Sequence, residues 1–321
     1  MGTPEFAVET LRALVENHYN VVGVVTQPDR PVGRHGSQLQ PSAVKQFALQ
    51  HGLPVLQPEK MKDPQFLEQL RQWQANLQVV VAFRMLPEVV WAMPEFGTFN
   101  VHASLLPQYR GAAPINWAII NGDTTTGVTT FMLDHEIDTG RIIMQKPCAI
   151  ADDDTLETVY DRLMQLGARC CLETLDRIFE ADGHPDTTGQ DQLTTTQDAA
   201  ALRPAPKLFR DNTRIDWTMP LKQVYDFVRG LTPVPCAWTM LRDQQGREVQ
   251  LKIYRATKTQ SVPAMPQDAR TGTIVTTRHQ LYVACADGLL QIDELQLAGK
   301  KRMDAASLMN GLRDLPLCEL T

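Results

Sequence analysis

In the stretch FNVHASLLPQYRGAAPINWAIINGD, Asn100 and His102 stand two residues apart at the end of an apolar run. Alternation along a strand sends both side chains out of the same face, and ligand sites in parallel sheets open beyond strand ends. An amide beside an imidazole at such a place suits the holding and polarising of a carbonyl. The same pair reads equally well as a core histidine satisfied by a backbone carbonyl. A second stretch, DHEIDTGRIIMQ, sets a carboxylate, Asp138, in a tight turn. A carboxylate there can orient a histidine and raise its basicity, although an isolated Asp-Thr-Gly match more commonly means a structural turn.

Positioning these groups falls to the elements around them. The first half alternates short apolar strands at 21–27, 54–57, 77–83 and 98–104 with helical patterns at about 41–51 and 63–74, which predicts a mostly parallel, doubly wound α/β sheet. LQVVVAF is apolar on both faces, as expected of a strand between two helix layers. GVTTFML and RIIMQKPCAI follow, and residues 152–180 carry the strongest helical pattern. Asp154 and Glu157 there have capping-box spacing, and Leu156, Val159, Leu163, Leu166 and Leu175 mark a buried side.

From Ala181 to about Pro206 the chain is polar and rich in Thr, Gln and Asp, the composition of an interdomain linker. After Lys207 come a helix at about 220–231 and the short strands AWTMLR, VQLKIYRAT, TGTIVTT, QLYVACAD and LLQIDELQL, which predict a small β-barrel. The expected division is thus 1–181, a linker over 182–206, and a C-terminal barrel over 207–321.

Composition narrows the function classes. With 43% apolar and 21% charged residues in 321, the chain can bury a core in each of two domains. No apolar run approaches the roughly 20 residues of a membrane span, and no signal or transit pattern opens the chain, so the expectation is a cytoplasmic protein. GxGxxG and GxxxxGK[ST] are both missing, which argues against a nicotinamide or ATP enzyme. The six cysteines show no metal or disulfide spacing and read as buried thiols; of the adjacent Cys170 and Cys171, at best one is expected to face the core. The net charge of −6 is unevenly spread: residues 207–321 carry 16 Lys/Arg against 12 Asp/Glu, a net of +4, leaving 15 against 25 elsewhere. That asymmetry permits a polyanionic ligand at the C-terminal third without requiring one.

Taken together, Asn100, His102, SLLPQYRG and the downstream Asp138-Thr139-Gly140 resemble the signature of enzymes that transfer the formyl group of 10-formyltetrahydrofolate. TQPDRPVGR upstream, with VYDFVRGLTPVPCAWT and GKKRM downstream, is similar to the branch of that family acting on methionyl-initiator tRNA, and the likeness spans nearly the whole chain. The resemblance implies a formyltransferase-like sheet followed by an OB-like barrel. It implies that Asn100 and His102 donate hydrogen bonds to a tetrahedral oxyanion while Asp138 orients His102 and helps take the amine proton, with no metal and no covalent nucleophile. Ser104, Leu105, Leu106 and Pro107 would form the floor of the folate site, or simply a loop packed onto the sheet, and Tyr109, Arg110 and Gly111 extend the signature.

On the nucleic-acid side, the implied cations are Arg30, Arg34 and Lys45 in the Pro/Gly-rich loop, where relatives carry a lysine-rich run in place of His35-Gly36-Ser37-Gln38. In the C-terminal domain they are Lys207, Arg210, Arg214, Lys252, Arg255, Lys300, Lys301 and Arg302. Solvated surface is the ordinary meaning of such residues taken singly. A monomer is expected. The alternative within the family is an enzyme formylating an aminosugar nucleotide, from which the TQPDRPVGR loop separates this chain.

The opening MGTPEFAVETLRALVENHYN places a turn and an amphipathic helix where a βαβ unit should begin with a strand. The expectation is a start assigned one strand late, leaving the neighbours of a central strand without partners and a gap between helix layers.

Overall fold

A computed structural model describes residues 1–32, 38–193, 201–243, 245–259, 263, 269–311 and 319–321. The chain forms two compact units that do not follow chain order: Met1–Gly111, Thr125–Ala149 and Tyr160–Pro204 make one, and Ala112–Thr124, Ile150–Val159 and Ala205–Thr321 the other.

In the first unit, helix α1 (Glu5–Glu16) buries Phe6, Ala7 and Leu11. Helix α2 (Ala43–Gln50) starts where Ser42 accepts the Lys45 N–H, and α3 (Pro64–Gln72) where Asp63 caps the Phe66 N–H behind a first-turn proline. Strand β1 (Val24–Val25) pairs parallel with β4 (Val55–Leu56), and β2 (Arg30–Val32) with β3 (Gln38–Gln40) forms a hairpin. Strand β5 (Gln78–Val81) returns through the short helix α4 (Glu88–Trp91) to lie parallel to β6 (Thr98–His102). Beyond β6 the mostly parallel arrangement gives way to an antiparallel edge: β7 (Thr125–Met132) and β8 (Ile142–Ala149) are both antiparallel to their neighbours. The 133–141 connection between them is shorter than a parallel crossover requires.

Between β1 and β5, among the described residues, only the first two pair. Gly2 N donates to Val25 O at 3.0 Å, and Val81 N to Met1 O at 2.9 Å. Alongside lies a cavity of about 560 Å³ lined by α1 residues, Val21–Val25 and Trp73–Val79. VVGVVTQ accordingly pairs over Val24–Val25 alone.

Helix α6 (Leu156–Glu180) begins among residues of the second unit and runs into the first. Its start is capped one residue later than the sequence suggests: Thr155 and Thr158 exchange side-chain-to-backbone bonds, while Asp154 accepts from Ala151 N and Thr158 Oγ1. Cys170 and Cys171 are both fully buried, contrary to the expectation of one at best. With Leu163, Thr174, Leu175 and Ile178 buried as well, the covered arc spans about half the helix, wide enough for two adjacent residues. The described residues of the polar stretch after α6 are tied to the sheet and the site loop: Thr188 exchanges both backbone hydrogen bonds with Ile142, and Arg203 O accepts from Tyr109 N.

In the second unit, helix α5 (Pro114–Ile120) packs on the helix Leu221–Leu231. Strands β9 (Ala237–Arg242), β10 (Glu248–Thr257), β11 (Ile274–Thr276), β12 (Leu281–Ala284), β13 (Leu289–Leu297) and β15 (Glu319–Leu320) form one antiparallel path ordered β11-β12-β13-β10-β9-β15, with β14 (Met303–Asp304) on β13. Curling brings Leu320 N within 2.9 Å of Gly272 O, just before β11. Among the described residues the barrel is closed at that point only, as a curled sheet. Among the described residues no helix is long and apolar enough to cross a membrane.

Candidate active site

Strand β6 carries the first two candidate groups. Asn100 is paired with Val80 of β5 and Phe131 of β7, and His102 with Thr129 of β7, so they share a face at the strand's C-terminal end. His102 is 6% exposed, and its Nε2 bonds the Tyr109 carbonyl at 2.9 Å. The opposite ring nitrogen, Nδ1, lies 3.9 Å from Asp138 Oδ2, within ion-pair reach and beyond a direct hydrogen bond. One nitrogen of His102 is therefore satisfied by backbone and the other faces a carboxylate.

Asp138 reaches that position from a turn with φ of +56°, a left-handed conformation that Asp tolerates better than most residues. Its Oδ2 accepts from Gly111 N at 2.9 Å. Two residues on, a Cβ on Gly140 would meet Met132 O at 1.7 Å, so only glycine lets this turn press against β7. Asn100 Oδ1 is buried with no hydrogen-bond partner among the described residues. Such an orphan costs about 1–3 kcal/mol, and native proteins keep few of them.

The SLLP loop is pinned from beneath. Thr129 Oγ1 donates to Ser104 O at 2.6 Å, accepts from Leu106 N at 3.1 Å, and accepts from Gln145 Nε2 at 3.0 Å, which also donates to Leu106 O. Ser104 and Leu106 are buried, the first giving its hydroxyl to Gln108 O and the second joining Phe131 and Ile142 in a small apolar cluster. Leu105 and Pro107 are half-buried. Arg110 turns to Gln190, whose Oε1 takes both its Nε and Nη2.

The basic residues separate by their partners. Lys45 is paired with Asp29 at 2.6 Å, and that hydrogen bond, with one from Gln57, holds the Asp29 carboxyl below its ordinary pKa. Arg30 donates to Gln27, and Arg34 lies outside the described residues. In the second unit Arg302 is paired with Glu294 and stacked 4.3 Å over Tyr254, and Arg255 faces Asp293. Lys207, Arg210 and Arg214 are exposed and have no carboxylate partner among the described residues. They lie over aromatic rings instead: Lys207 over Phe209 at 5.4 Å, Arg210 and Arg214 over Trp238 at 5.2 and 5.6 Å. Lys300 and Lys301 are exposed likewise.

Sequence reasoning missed the Tyr109 carbonyl, the Gly111 N–H, Thr129 and Gln190. Phe209 and Trp238 were within its reach, because aromatics interleaved with cations are a nucleic-acid signal. Among the described residues no three His, Cys, Asp or Glu side chains gather as a metal site.

Comparison with known proteins gives this geometry a context. The formyl transferase family matches residues 1–175, and the formyl transferase C-terminal domain matches 207–313. A methionyl-tRNA formyltransferase of Parabacteroides distasonis is 60% identical over 317 residues, 98% of this chain and 95% of that protein. Proteins of the same name from Bacteroides fragilis and Porphyromonas gingivalis are 55% and 49% identical, each over 97% of this chain and 93% and 94% of their own. Among solved structures, an N-formyltransferase of Helicobacter canadensis in complex with folinic acid and dTDP-3-aminofucose superposes with a TM-score of 0.62 at 18% identity, covering 94% of this chain and 97% of its own. That last likeness is one of fold alone. With two family matches across most of its length and near-complete relatives at 49–60% identity, the chain belongs to the formyltransferase family.

Proposed function

We propose that this chain transfers the formyl group of 10-formyltetrahydrofolate to the α-amine of methionyl-initiator tRNA, as a monomer in the cytoplasm. The observation that carries this reading is the end-to-end likeness, at 49–60% identity, to proteins named methionyl-tRNA formyltransferase. The aminosugar-nucleotide alternative has only an 18% identical fold likeness behind it.

The site suits the chemistry. The amine is its own nucleophile and the formyl carbon arrives activated, so the chain's work is placement, charge stabilisation and proton removal. Asn100 offers a buried acceptor for an amine N–H and an amide donor for the formyl oxygen. His102 serves through Nδ1, since Nε2 is spent on Tyr109. Asp138 receives the amine proton, directly or through a water, and stands 3.9 Å from the ring whose orientation it sets. The folate lies against the Ser104–Pro107 loop, with Leu105 and Pro107 as its half-buried apolar surface and Ser104 and Leu106 fixing the loop from below.

For the tRNA, Lys207, Arg210 and Arg214 combine unpaired charge with the faces of Phe209 and Trp238, a combination suited to phosphates and to an unpaired base. Arg30, Arg34, Lys45, Lys300, Lys301 and Arg302 supplement them, Lys45 and Arg302 less because carboxylates already neutralise them.

The test is direct. The 321-residue chain, 10-formyltetrahydrofolate and methionyl-initiator tRNA should yield formyl-methionyl-tRNA. Turnover with an aminosugar nucleotide and none with the tRNA would overturn the reading.

A further inference from the structure

Gln190 stands in the polar stretch that composition alone assigns to a linker. It is 4% exposed and opens a single 3₁₀ turn, Gln190–Leu193. Its Nε2 donates to Asp138 O and to Gly140 O, both at 2.9 Å. Its Oε1 accepts from Arg110 Nε at 3.0 Å and Nη2 at 2.6 Å. Both amide N–H groups and both oxygen lone pairs are thereby used. The orientation of the amide follows from its surroundings, because carbonyls need its nitrogen and a guanidinium needs its oxygen.

The backbone bearing this side chain is itself fixed. Thr188 forms a two-bond bridge with Ile142 at the start of β8, and the Arg141 guanidinium donates to Thr187 Oγ1 and O. Gln190 is thus a strut set on β8, clamping the 138–140 turn and Arg110 together. The partner segments are joined a second time, by Gly111 N to Asp138 Oδ2. Asp138 has its carboxylate tied by one bond and its own carbonyl by another, in a left-handed conformation that strands alone would not maintain.

Resting on the assignment of Asp138 and His102 above, we propose that Gln190 is a positioning residue that sets the carboxylate-to-imidazole geometry through the Asp138 turn. It touches neither substrate nor reacting atom. Loss of its two donors lets the turn relax, and a misplacement of the order of 1 Å costs up to about a hundredfold in rate.

Gln190→Glu tests this without changing shape: it keeps an acceptor for Arg110 and removes the donors to Asp138 O and Gly140 O. The expected result is a kcat for methionyl-tRNA formylation lowered about 10- to 100-fold, with KM for the tRNA within about twofold. The deciding measurement is the same substitution in an Asp138→Asn background. If Gln190 acts through Asp138, the second loss shrinks to less than about threefold there. Equal losses in both backgrounds mean a general structural role and overturn the proposal, as does unchanged kcat. Gln190→Ala, followed with its melting temperature, supplies the same cycle should the glutamate variant fold poorly. Asp138→Asn with wild-type activity would instead sink the underlying site assignment, so the two failures are separable.

Discussion

His102 has one ring nitrogen committed to Tyr109 O and the other held 3.9 Å from Asp138, so its removal should strike the chemical step far more than tRNA binding. His102→Ala is expected to lower kcat by about a thousandfold, with the dissociation constant for methionyl-tRNA within about twofold by filter binding. Replacing Arg210 and Arg214 together by Ala should do the reverse. KM for the tRNA rises, kcat at saturation holds, and the slope of log affinity against log salt falls by about two. A His102→Ala protein that lost tRNA affinity would reassign that residue to binding. What the sequence makes legible at this scale is side chains with distinctive chemistry at regular spacing, such as Asn100, His102 and Asp138. Their partners, Tyr109 O and Gly111 N, are backbone groups that every residue type carries, and Gln190 is a common residue in a stretch without periodicity.

Among elements, β7 is the support of the SLLP loop, and Thr129 is where that support concentrates. One hydroxyl serves Ser104 O, Leu106 N and Gln145 Nε2, and Thr129 is fully buried. Thr129→Val keeps the shape and strands these groups, at about 1–3 kcal/mol for each one left unpaired. Urea unfolding should show a loss of about 2–5 kcal/mol, and KM for 10-formyltetrahydrofolate should rise. Thr129→Ser should recover most of both. An unchanged folate KM would mean that the loop does not border the folate. Element boundaries were legible where packing is one-sided: AWTMLR coincides with β9, Ala237–Arg242. They were less so where a second influence acts. VVGVVTQ shrinks to two paired residues because its neighbour toward β5 is Gly2 alone, and the helical start moves from Asp154 to Thr155 because Asp154 bonds Ala151 instead.

At the scale of the whole molecule, alternating patterns predicted an α/β unit before a β-rich one, and the residues 112–124 and 150–159 that belong with the later unit carry no composition signal of that membership. The sheet of the first unit has a comparable hidden seam. Among the described residues the β1–β4 pair joins β5 only through Met1 and Gly2, beside a cavity of about 560 Å³. A two-stranded pair is marginal alone, and few contacts span a void. Native-state hydrogen exchange should therefore find the amides of Val24 and Thr26, bonded to Pro54 O and Leu56 O, opening several kcal/mol below those of Val101 and Thr130 inside the four-stranded β5–β8 sheet, and with a smaller dependence on denaturant. One opening free energy shared by both sets would show that the sheet melts as a single body across the seam, because then the few bonds at Met1 and Gly2 would couple its two parts as strongly as a continuous ladder does.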